Sequence, residues 1–131
     1  MNWKTAYRSF YYQHAEEPED IQLAASETAL LIIDIQNIYL QPAAEPQEAA
    51  RWQPFYQRML HQVIPNTEKL IADARKRGVE VIYARIACHK QDGRDRSLSQ
   101  KKPGFNYLLL PKNEFDSQIV SQLQPMDDDI V

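Results

Sequence analysis

The stretch Thr28-Ala-Leu-Leu-Ile-Ile-Asp-Ile-Gln-Asn-Ile-Tyr-Leu40 decides the fold of this chain. Its apolar run Ala29–Ile33 is too short for a stable helix and rich in β-branched residues, which indicates a strand buried on both faces, as in a parallel sheet. The run ends on one carboxylate, Asp34. A charge is costly there unless it lies at the carboxyl end of the strand, where open α/β sheets form their ligand crevice. Asp34 is therefore the first candidate for a functional residue.

A helix and a second strand follow. Residues 65–77 carry apolar side chains at helical spacing, with a proline in the first turn, basic residues in the last turn and Gly78 as a C-terminal cap. Residues 79–87 predict the next strand, so that strand, helix and strand form one right-handed parallel crossover. Farther along, residues 115–123 predict a short helix, and Ile130-Val131 predicts the start of a third strand.

Residues 1–26 form an aromatic-rich lead segment ahead of the domain, which we place at residues 27–131. Because exposed aromatic clusters are uncommon on monomers, we expect this segment to pack across the outside of the domain or onto a neighbouring subunit. Its aromatic residues are Trp3, Tyr7, Phe10, Tyr11 and Tyr12.

The segment after the first strand is rich in proline. The prolines of residues 41–48 forbid an immediate helix and favour a loop over the crevice. Three aromatic residues follow, Trp52, Phe55 and Tyr56. They would line the crevice or anchor the loop, and anchoring is the interpretation that we favour.

Composition and charge exclude several classes of protein. A chain of 131 residues fits one domain, which buries roughly two-thirds of its unfolded surface. The formal charge of -3 offers no basic field for nucleic acid, and no apolar run approaches the ~18 residues of a membrane span, so we expect neither partner. No glycine-rich phosphate loop is present. The single cysteine, Cys88, permits no internal disulfide, and the first residues do not resemble a signal peptide, which favours a cytoplasmic location.

The segment of residues 31–39 resembles the opening strand of the isochorismatase-like cysteine hydrolases. Its sequence is Leu31-Ile32-Ile33-Asp34-Ile35-Gln36-Asn37-Ile38-Tyr39. In that family the segment is apolar-apolar-Asp-x-Gln-x-x-aromatic, usually with Phe where Tyr39 stands. The likeness extends through residues 66–85, where Gly78-Val-Glu-Val-Ile-Tyr-Ala-Arg85 looks like the second strand, to Asp129-Ile130-Val131. The resemblance implies an α/β fold of the isochorismatase-like, Rossmann-like type. Such a fold has three layers, α/β/α, around a six-stranded, mostly parallel sheet. This chain would supply about the first three strands.

The same resemblance implies a hydrolase that cleaves a C–N bond, amide or ureido, of a small molecule through an Asp-Lys-Cys triad and without a cofactor. In such a triad the Asp takes the thiol proton, the Lys holds the geometry, and backbone N–H groups bind the oxyanion. Asp34 matches the first member. The other interpretation of Asp34 is a strand-end residue that accepts a hydrogen bond from a nearby backbone N–H.

The other two triad members have no match in residues 1–131. The nearest lysines, Lys101, Lys102 and Lys112, lie in the wrong segment. Cys88 follows the second strand instead of opening a helix, so we interpret it as a small apolar residue that fills space at a strand end. We therefore expect the isolated chain to be inactive. We also expect its first strand to have an open edge, which favours a homo-oligomer or a complementing C-terminal half.

Substrate contacts are predicted for Tyr39, Arg85 and His89, which lie at or beyond the carboxyl ends of the two strands. His89 opens a loop that also contains Asp92 and Asp95, with Gly93 supplying a turn. Nicotinamidases use an Asp/His set for metal near this loop, but their Asp-x-His spacing is absent, so no metal site is predicted.

Three functions stay open at this point. The loop after Arg85 and the segment 104–111 look more like the amidohydrolase members of the family than the nicotinamidases. An isochorismate-type hydrolase that cleaves a vinyl ether is one alternative. The other is a catalytically incomplete fragment or pseudoenzyme that acts as an assembly or binding module.

Overall fold

A two-stranded parallel sheet forms the centre of the computed structural model, which describes residues 8–16, 19–102 and 109–131. Strand β1 spans Ala29–Ile33 and strand β2 spans Glu80–Ala84. Their register pairs Ala29 with Glu80 and Ile33 with Ala84. The parallel pairing of two strands joined by helices confirms the predicted strand-helix-strand unit.

The crossover is helical along most of its length. Helix α1 spans Pro46–Arg58, a π-helical turn spans Met59–Val63, and helix α2 spans Ile64–Lys76. The predicted loop over residues 41–48 is thus shorter than expected, because Pro46 occupies the first turn of α1, where no backbone N–H is needed.

Gly78 ends helix α2 as predicted. Its φ of 69° is left-handed, and its N–H donates to the Arg75 carbonyl at 3.0 Å. The N–H of Val79 then reaches back to the Ala74 carbonyl at 2.9 Å. Glycine adopts this conformation without a Cβ clash, so the chain turns directly from α2 into β2.

The predicted helix over residues 115–123 is wrong. The structure has two 3₁₀ turns, Phe115–Ser117 and Ser121–Leu123, separated by extended backbone. The physical reason is pairing with the exit of β1. Ile119 forms an antiparallel bridge with Gln36, and the Val120 N–H donates to the Ile35 carbonyl at 3.1 Å. These backbone groups are therefore committed to a distant segment instead of to a helix.

The end of the chain pairs beside β2. The Tyr83 N–H donates to the Ile130 carbonyl at 2.8 Å, and Ile82 and Ile130 form a parallel bridge. This single bridge agrees with the predicted start of a third strand. Asp129 is held next to it by an ion pair with Arg75 of α2.

The core lies on one face of the sheet, between the strands and α2. Ile32, Val81 and Tyr83 are buried there against Ile64 and Ile71. On the opposite face, Leu31 is 52% exposed and Ile33 is 58% exposed. The prediction that β1 is buried on both faces is therefore wrong for the described residues, because their helices cover only one side of the sheet.

Outside this core, the described part of the lead segment is exposed. Phe10 is 83% exposed and Tyr11 is 77% exposed, so these rings do not pack across the domain. Contact with a neighbouring subunit stays a prediction, and Trp3 and Tyr7 lie outside the described residues. A four-residue helix, α3, spans Leu98–Lys101. None of the helices in the described ranges is both long and apolar enough to cross a bilayer.

Candidate functional site

Asp34 lies directly after β1, at the carboxyl edge of the sheet. Its N–H donates to the Ala84 carbonyl at 2.9 Å, which continues the ladder for one residue. Its φ is 55°, and it is the one non-glycine residue with positive φ among those described. Aspartate tolerates this left-handed conformation, and such residues concentrate at functional sites. The chain reverses here, so that Asp34 is exposed at the strand exit.

The carboxylate of Asp34 accepts no hydrogen bond from the residues that the structure describes. The interpretation of Asp34 as a side chain that holds a neighbouring backbone N–H is therefore not supported. Its oxygens instead remain available to a ligand.

Tyr39 lies beside Asp34, in the 3₁₀ turn Asn37–Leu40. Burial raises the pKa of the Tyr39 phenol, and the negative charge of Asp34 raises it further. The phenol is thus protonated at neutral pH, and it finds no hydrogen-bond acceptor within the described ranges. It can therefore donate a proton or a hydrogen bond to a ligand placed next to Asp34.

A cleft of about 670 Å³ opens between the exit of β1 and the helical crossover. Among the described residues, Asp34 is the one charged residue that lines it, and Tyr39 forms part of its wall. The remaining lining is largely apolar and comprises Ile33, Ile35, Gln36, Leu40, Trp52, Phe55, Tyr56, Met59 and Val63. The last two belong to the π-helical turn, a geometry that is frequent at functional sites.

All three aromatic residues of α1 line the cleft, and one of them, Tyr56, also anchors the preceding loop. The Tyr56 hydroxyl donates to the Gln41 carbonyl at 2.8 Å, which fixes the loop to the helix. Phe55 makes edge contacts with Trp52 and Tyr56, at ring-centroid distances of 5.9 and 5.7 Å. Anchoring, which the sequence favoured, is thus present together with the crevice contact.

Gln36 is a structural residue whose role sequence analysis missed. Its side chain is fully buried. Its Nε2 donates to the carbonyls of Ile86 and Ser117, both at 2.9 Å, and its Oε1 accepts from the Ile86 N–H at 2.8 Å. A glutamine directly after the apolar strand and Ile35 is the available signal, because a buried amide needs hydrogen-bond partners. Its partners hold the segment that carries Asp34 against the exit of β2.

A second cleft, of about 210 Å³, shares Tyr39 as a lining residue with the first. Arg85 lines it, and the Nη1 of this guanidinium donates to the carbonyls of Lys112 and Ser117 at 3.1 and 2.9 Å. Arg85 therefore joins the exit of β2 to the segment of residues 112–117. Its other N–H groups supply additional donors to the same region.

Cys88 and His89 differ in their placement. Cys88 lines the smaller cleft but is only 3% exposed, and its backbone pairs with Leu110 and Lys112 at 2.8 and 2.9 Å. This burial agrees with its interpretation as a packing residue. His89 is exposed and lines neither of the clefts that flank Tyr39. Its backbone N–H donates to Asp95 Oδ2 at 2.7 Å.

The loop of residues 89–96 is ordered by Asp95. Its Oδ1 also accepts from the Lys90 N–H at 3.2 Å. The hydrogen bond from the His89 N–H is the main cause that lowers the pKa of the Asp95 carboxyl. Gly93, with a φ of 65°, supplies the predicted turn, and a Cβ there would collide with Leu109. Within the described residues, no group of three or more His, Cys, Asp or Glu side chains is placed to hold a metal ion.

The arrangement beside β1 combines three chemical features. The carboxylate of Asp34 accepts no hydrogen bond from a described residue, a protonated phenol lies next to it, and largely apolar walls surround both groups. A carboxylate in such a setting can accept a proton from a group that is placed in the cleft.

Comparison with known proteins identifies one family and several relatives of this chain. Residues 28–131 match the family model described as the isochorismatase domain. The ureidoacrylate amidohydrolase RutB of Acinetobacter baylyi is 29% identical over 128 residues, which cover 88% of this chain and 51% of that protein. The protein of the same name from Pantoea ananatis is 32% identical over 130 residues, covering 89% and 50%. The chain thus spans about half the length of the curated relatives that it matches.

A solved structure shows the same fold. The crystal structure of a cysteine hydrolase from Pseudomonas syringae pv. phaseolicola 1448A superposes with a TM-score of 0.62 at 23% sequence identity. The match covers 88% of this chain and 50% of that one. This likeness confirms the α/β fold class that the sequence predicted.

Proposed function

This chain belongs to the isochorismatase family of hydrolases, and from that premise we propose that it carries the general base of an enzyme that cleaves a C–N bond, amide or ureido, in a small molecule. The observation that carries the proposal is the position of Asp34. It lies at the exit of a parallel strand, lines the large cleft, and has a carboxylate that accepts no hydrogen bond from a described residue. The relatives named as ureidoacrylate amidohydrolases support the choice of a C–N bond.

The reaction proceeds through a thiol nucleophile. Asp34 takes the proton from the thiol, and the thiolate forms a bond to the carbonyl carbon of the substrate. The C–N bond then breaks, and the nitrogen leaves with the proton that Asp34 had accepted. Water attacks the resulting thioester, which releases the acid and restores the thiol.

The lysine and the nucleophilic cysteine have no counterpart at the family positions within residues 1–131. We propose that other residues of the active protein supply them, and that a polypeptide of residues 1–131 alone does not hydrolyse the substrate. Cys88 is not assigned this role, because it is buried and its backbone is paired on both sides.

Tyr39, Arg85 and His89 are proposed as substrate contacts. Tyr39 is the best supported, since its protonated phenol lies next to Asp34 and donates to the substrate carbonyl or to the leaving nitrogen. Arg85 contacts a polar group of the substrate from the smaller cleft. His89 is exposed and would contact the part of the substrate farthest from Asp34.

The test is amine release from small amides and ureides by an active protein that contains these residues. Asp34→Asn is expected to lower the rate by about a hundredfold or more, since general-base catalysis contributes about 10²–10⁴-fold. Asp128→Asn is the matched control, because Asp128 is an exposed carboxylate in the turn ahead of Asp129. Full activity in the Asp34→Asn protein would refute the proposal.

A second function is favoured by the exposed sheet face. Leu31 and Ile33 are exposed, and the edge of β1 opposite β2 has no paired strand in the described part of the chain. Open apolar edges pair with other chains. We propose that this surface binds a second copy of the chain or a complementing C-terminal half, and that it acts as an assembly module where the catalytic residues are not completed.

A further inference from the structure

We infer that Arg85 selects the substrate by charge, because its guanidinium binds a carboxylate that the substrate carries close to the amide or ureido group. This inference rests on the proposed function, and it assigns the specificity-determining residue and the substrate class of the same site. It is carried by the hydrogen bonds that hold Arg85 and by the side chains that line the two clefts sharing Tyr39.

The guanidinium of Arg85 is a cation held in place by neutral groups. Its Nη1 donates to the carbonyls of Lys112 and Ser117 at 3.1 and 2.9 Å, and the side chain is partly buried. Within the described residues, no carboxylate pairs with it and no atom accepts from its Nε or Nη2. A partly buried charge is costly without a counter-charge, and the planar fork of a guanidinium matches the geometry of a carboxylate. An anionic group of the ligand supplies that counter-charge.

A shared oxygen joins Arg85 to the segment that carries Asp34. The Ser117 carbonyl, which accepts from Arg85, also accepts from Gln36 Nε2 at 2.9 Å. Gln36 lies two residues after Asp34. The pairing of β1 with β2 continues to the Asp34 N–H, so Asp34 and Arg85 lie at the exits of neighbouring strands. One short ligand can therefore contact the guanidinium of Arg85 and the carboxylate of Asp34.

The smaller cleft offers a cationic setting. Arg85 and Arg96 line it, and Tyr39 lines both this cleft and the one that contains Asp34. Asp95 is the acidic residue of its described lining, and its carboxylate accepts from two backbone N–H groups of its own loop. Two guanidinium groups therefore line the cleft together with one carboxylate that is already hydrogen-bonded. This balance favours an anion, and the rest of the ligand extends along Tyr39 toward Asp34.

Arg85 also lines a third cleft, of about 500 Å³, together with Asn37, Phe115 and Gln118. That cleft has no described lining residue in common with the cleft of Asp34. The smaller cleft shares Tyr39 with the cleft of Asp34, so it is the one that connects the guanidinium to the candidate base.

Two ligands that differ only in charge test the inference. Ureidoacetate carries a carboxylate, and ureidoacetamide carries a neutral carboxamide in its place. Calorimetry on the polypeptide of residues 1–131 measures the ratio of their affinities without the proposed triad lysine, which this polypeptide does not contain at the family position. Ureidoacetate is expected to bind about tenfold to a hundredfold more tightly, the range that a charge-assisted hydrogen bond provides. Equal affinity, or tighter binding of ureidoacetamide, overturns the inference.

Substitutions of Arg85 locate the effect. Arg85→Gln removes the charge and is expected to bring the affinity ratio close to one, whereas Arg85→Lys keeps the charge and retains a preference for ureidoacetate. Arg94→Gln is the matched control and should leave the ratio unchanged, because Arg94 is an exposed cation of the same loop region that does not line the cleft. Thermal unfolding verifies that each variant is folded. A preference that persists in folded Arg85→Gln overturns the inference.

Chemical modification tests the same assignment in the wild-type chain, where folding of a variant is not at issue. Phenylglyoxal modifies arginine side chains, and peptide mass spectrometry reads the extent of modification at Arg85. Ureidoacetate is expected to slow this modification by about tenfold at saturation, whereas ureidoacetamide at the same concentration leaves it unchanged. Equal modification of Arg85 with and without saturating ureidoacetate overturns the inference.

Failure of this inference is distinguishable from failure of the proposed function. If an active protein that contains these residues cleaves ureidoacetamide at least as fast as ureidoacetate, with a rate that depends on Asp34, the charge selection is wrong and the base is correct. If ureidoacetate binds with a preference that depends on Arg85 but no C–N bond is cleaved in any amide or ureide, the reaction is wrong and the recognition of the carboxylate stands.

Discussion

The side-chain amide of Gln36 forms two hydrogen bonds with the backbone of Ile86. Its Nε2 donates to the Ile86 carbonyl at 2.9 Å, and its Oε1 accepts from the Ile86 N–H at 2.8 Å. Ile86 follows β2 and Gln36 follows β1, so these two hydrogen bonds join the strand exits at the edge where Asp34 lies. A third bond, to the Ser117 carbonyl, adds the segment that pairs with the exit of β1.

Gln36→Leu should therefore destabilise the domain. The substitution leaves the N–H and carbonyl of Ile86 and the carbonyl of Ser117 without this partner, and an unsatisfied buried group costs about 1–3 kcal/mol. We expect the free energy of unfolding to fall by about 3 kcal/mol in urea titration. Gln57→Leu, at an exposed position of α1, is the control and should change stability little. Equal stability of the two variants would show that the hydrogen bonds of Gln36 do not stabilise the domain.

The pairing of Tyr39 with Asp34 gives a pH-dependent signal. Burial, followed by the charge of Asp34, raises the pKa of the phenol above its ordinary value of 10.0. Both causes penalise the charged phenolate, so the folded state is fully stable with respect to this group below pH 10.0 and loses stability as the pH rises through the raised pKa. Asp34→Asn removes only the charge, so it should lower the pKa of this tyrosine while the contribution of burial remains.

Absorbance titration of tyrosinate measures this shift. The chain contains 7 tyrosines, and a Tyr39→Phe variant identifies which part of the titration belongs to Tyr39. If Asp34→Asn leaves the titration of Tyr39 where it was, the two side chains do not interact and the site is assembled differently.

The loop of residues 89–96 should depend on the ionised form of Asp95. Hydrogen bonds from the backbone N–H of His89, and then more weakly from that of Lys90, lower the pKa of this carboxyl below 3.8. The stabilisation is thus present above the ordinary pKa and is lost as the pH falls through the lowered one. Asp95→Ala should accelerate hydrogen exchange at the amides of His89 and Lys90 at neutral pH.

Asp92→Ala is the matched control, because Asp92 lies in the same loop and accepts from a different amide, that of Arg94 at 3.1 Å. Exchange at His89 and Lys90 should be unaffected by it. If both substitutions accelerated hydrogen exchange equally, the loop would be ordered by its overall charge and not by the hydrogen bonds of Asp95.

The exposed face of β1 should drive association of the 1–131 polypeptide. Replacing Leu31 and Ile33 together by lysine adds charge to this face, which is expected to reduce association in sedimentation. Ile21→Lys is the control, since Ile21 is 86% exposed and lies outside the sheet. A wild-type polypeptide that sediments as a monodisperse 15.3 kDa monomer would contradict the prediction.

Strand β1 and helix α2 could be predicted from local sequence patterns alone. Strand β1 was predicted at its observed residues, and α2 was predicted at 65–77 against an observed Ile64–Lys76, because apolar periodicity and the Gly78 cap define it. Asp34 was found because an unbroken apolar run ends on it.

The features that sequence reasoning missed depend on distant contacts. The region of residues 115–123 has helical spacing, but its backbone pairs with residues more than eighty positions earlier, such as Ile35 and Gln36. The partners of the Gln36 amide are also remote, at 50 and 81 residues along the sequence. The burial of β1 was overestimated because a run of apolar residues does not reveal which of its faces is covered.

The rate of thioester formation in a single turnover tests the central claim, that Asp34 is the base that activates the nucleophile. At saturating substrate this rate isolates the chemical step from binding and product release. The account predicts that Asp34→Asn slows it by about 10²–10⁴-fold while the dissociation constant of the substrate changes little. An unchanged rate of thioester formation in the Asp34→Asn protein would contradict it.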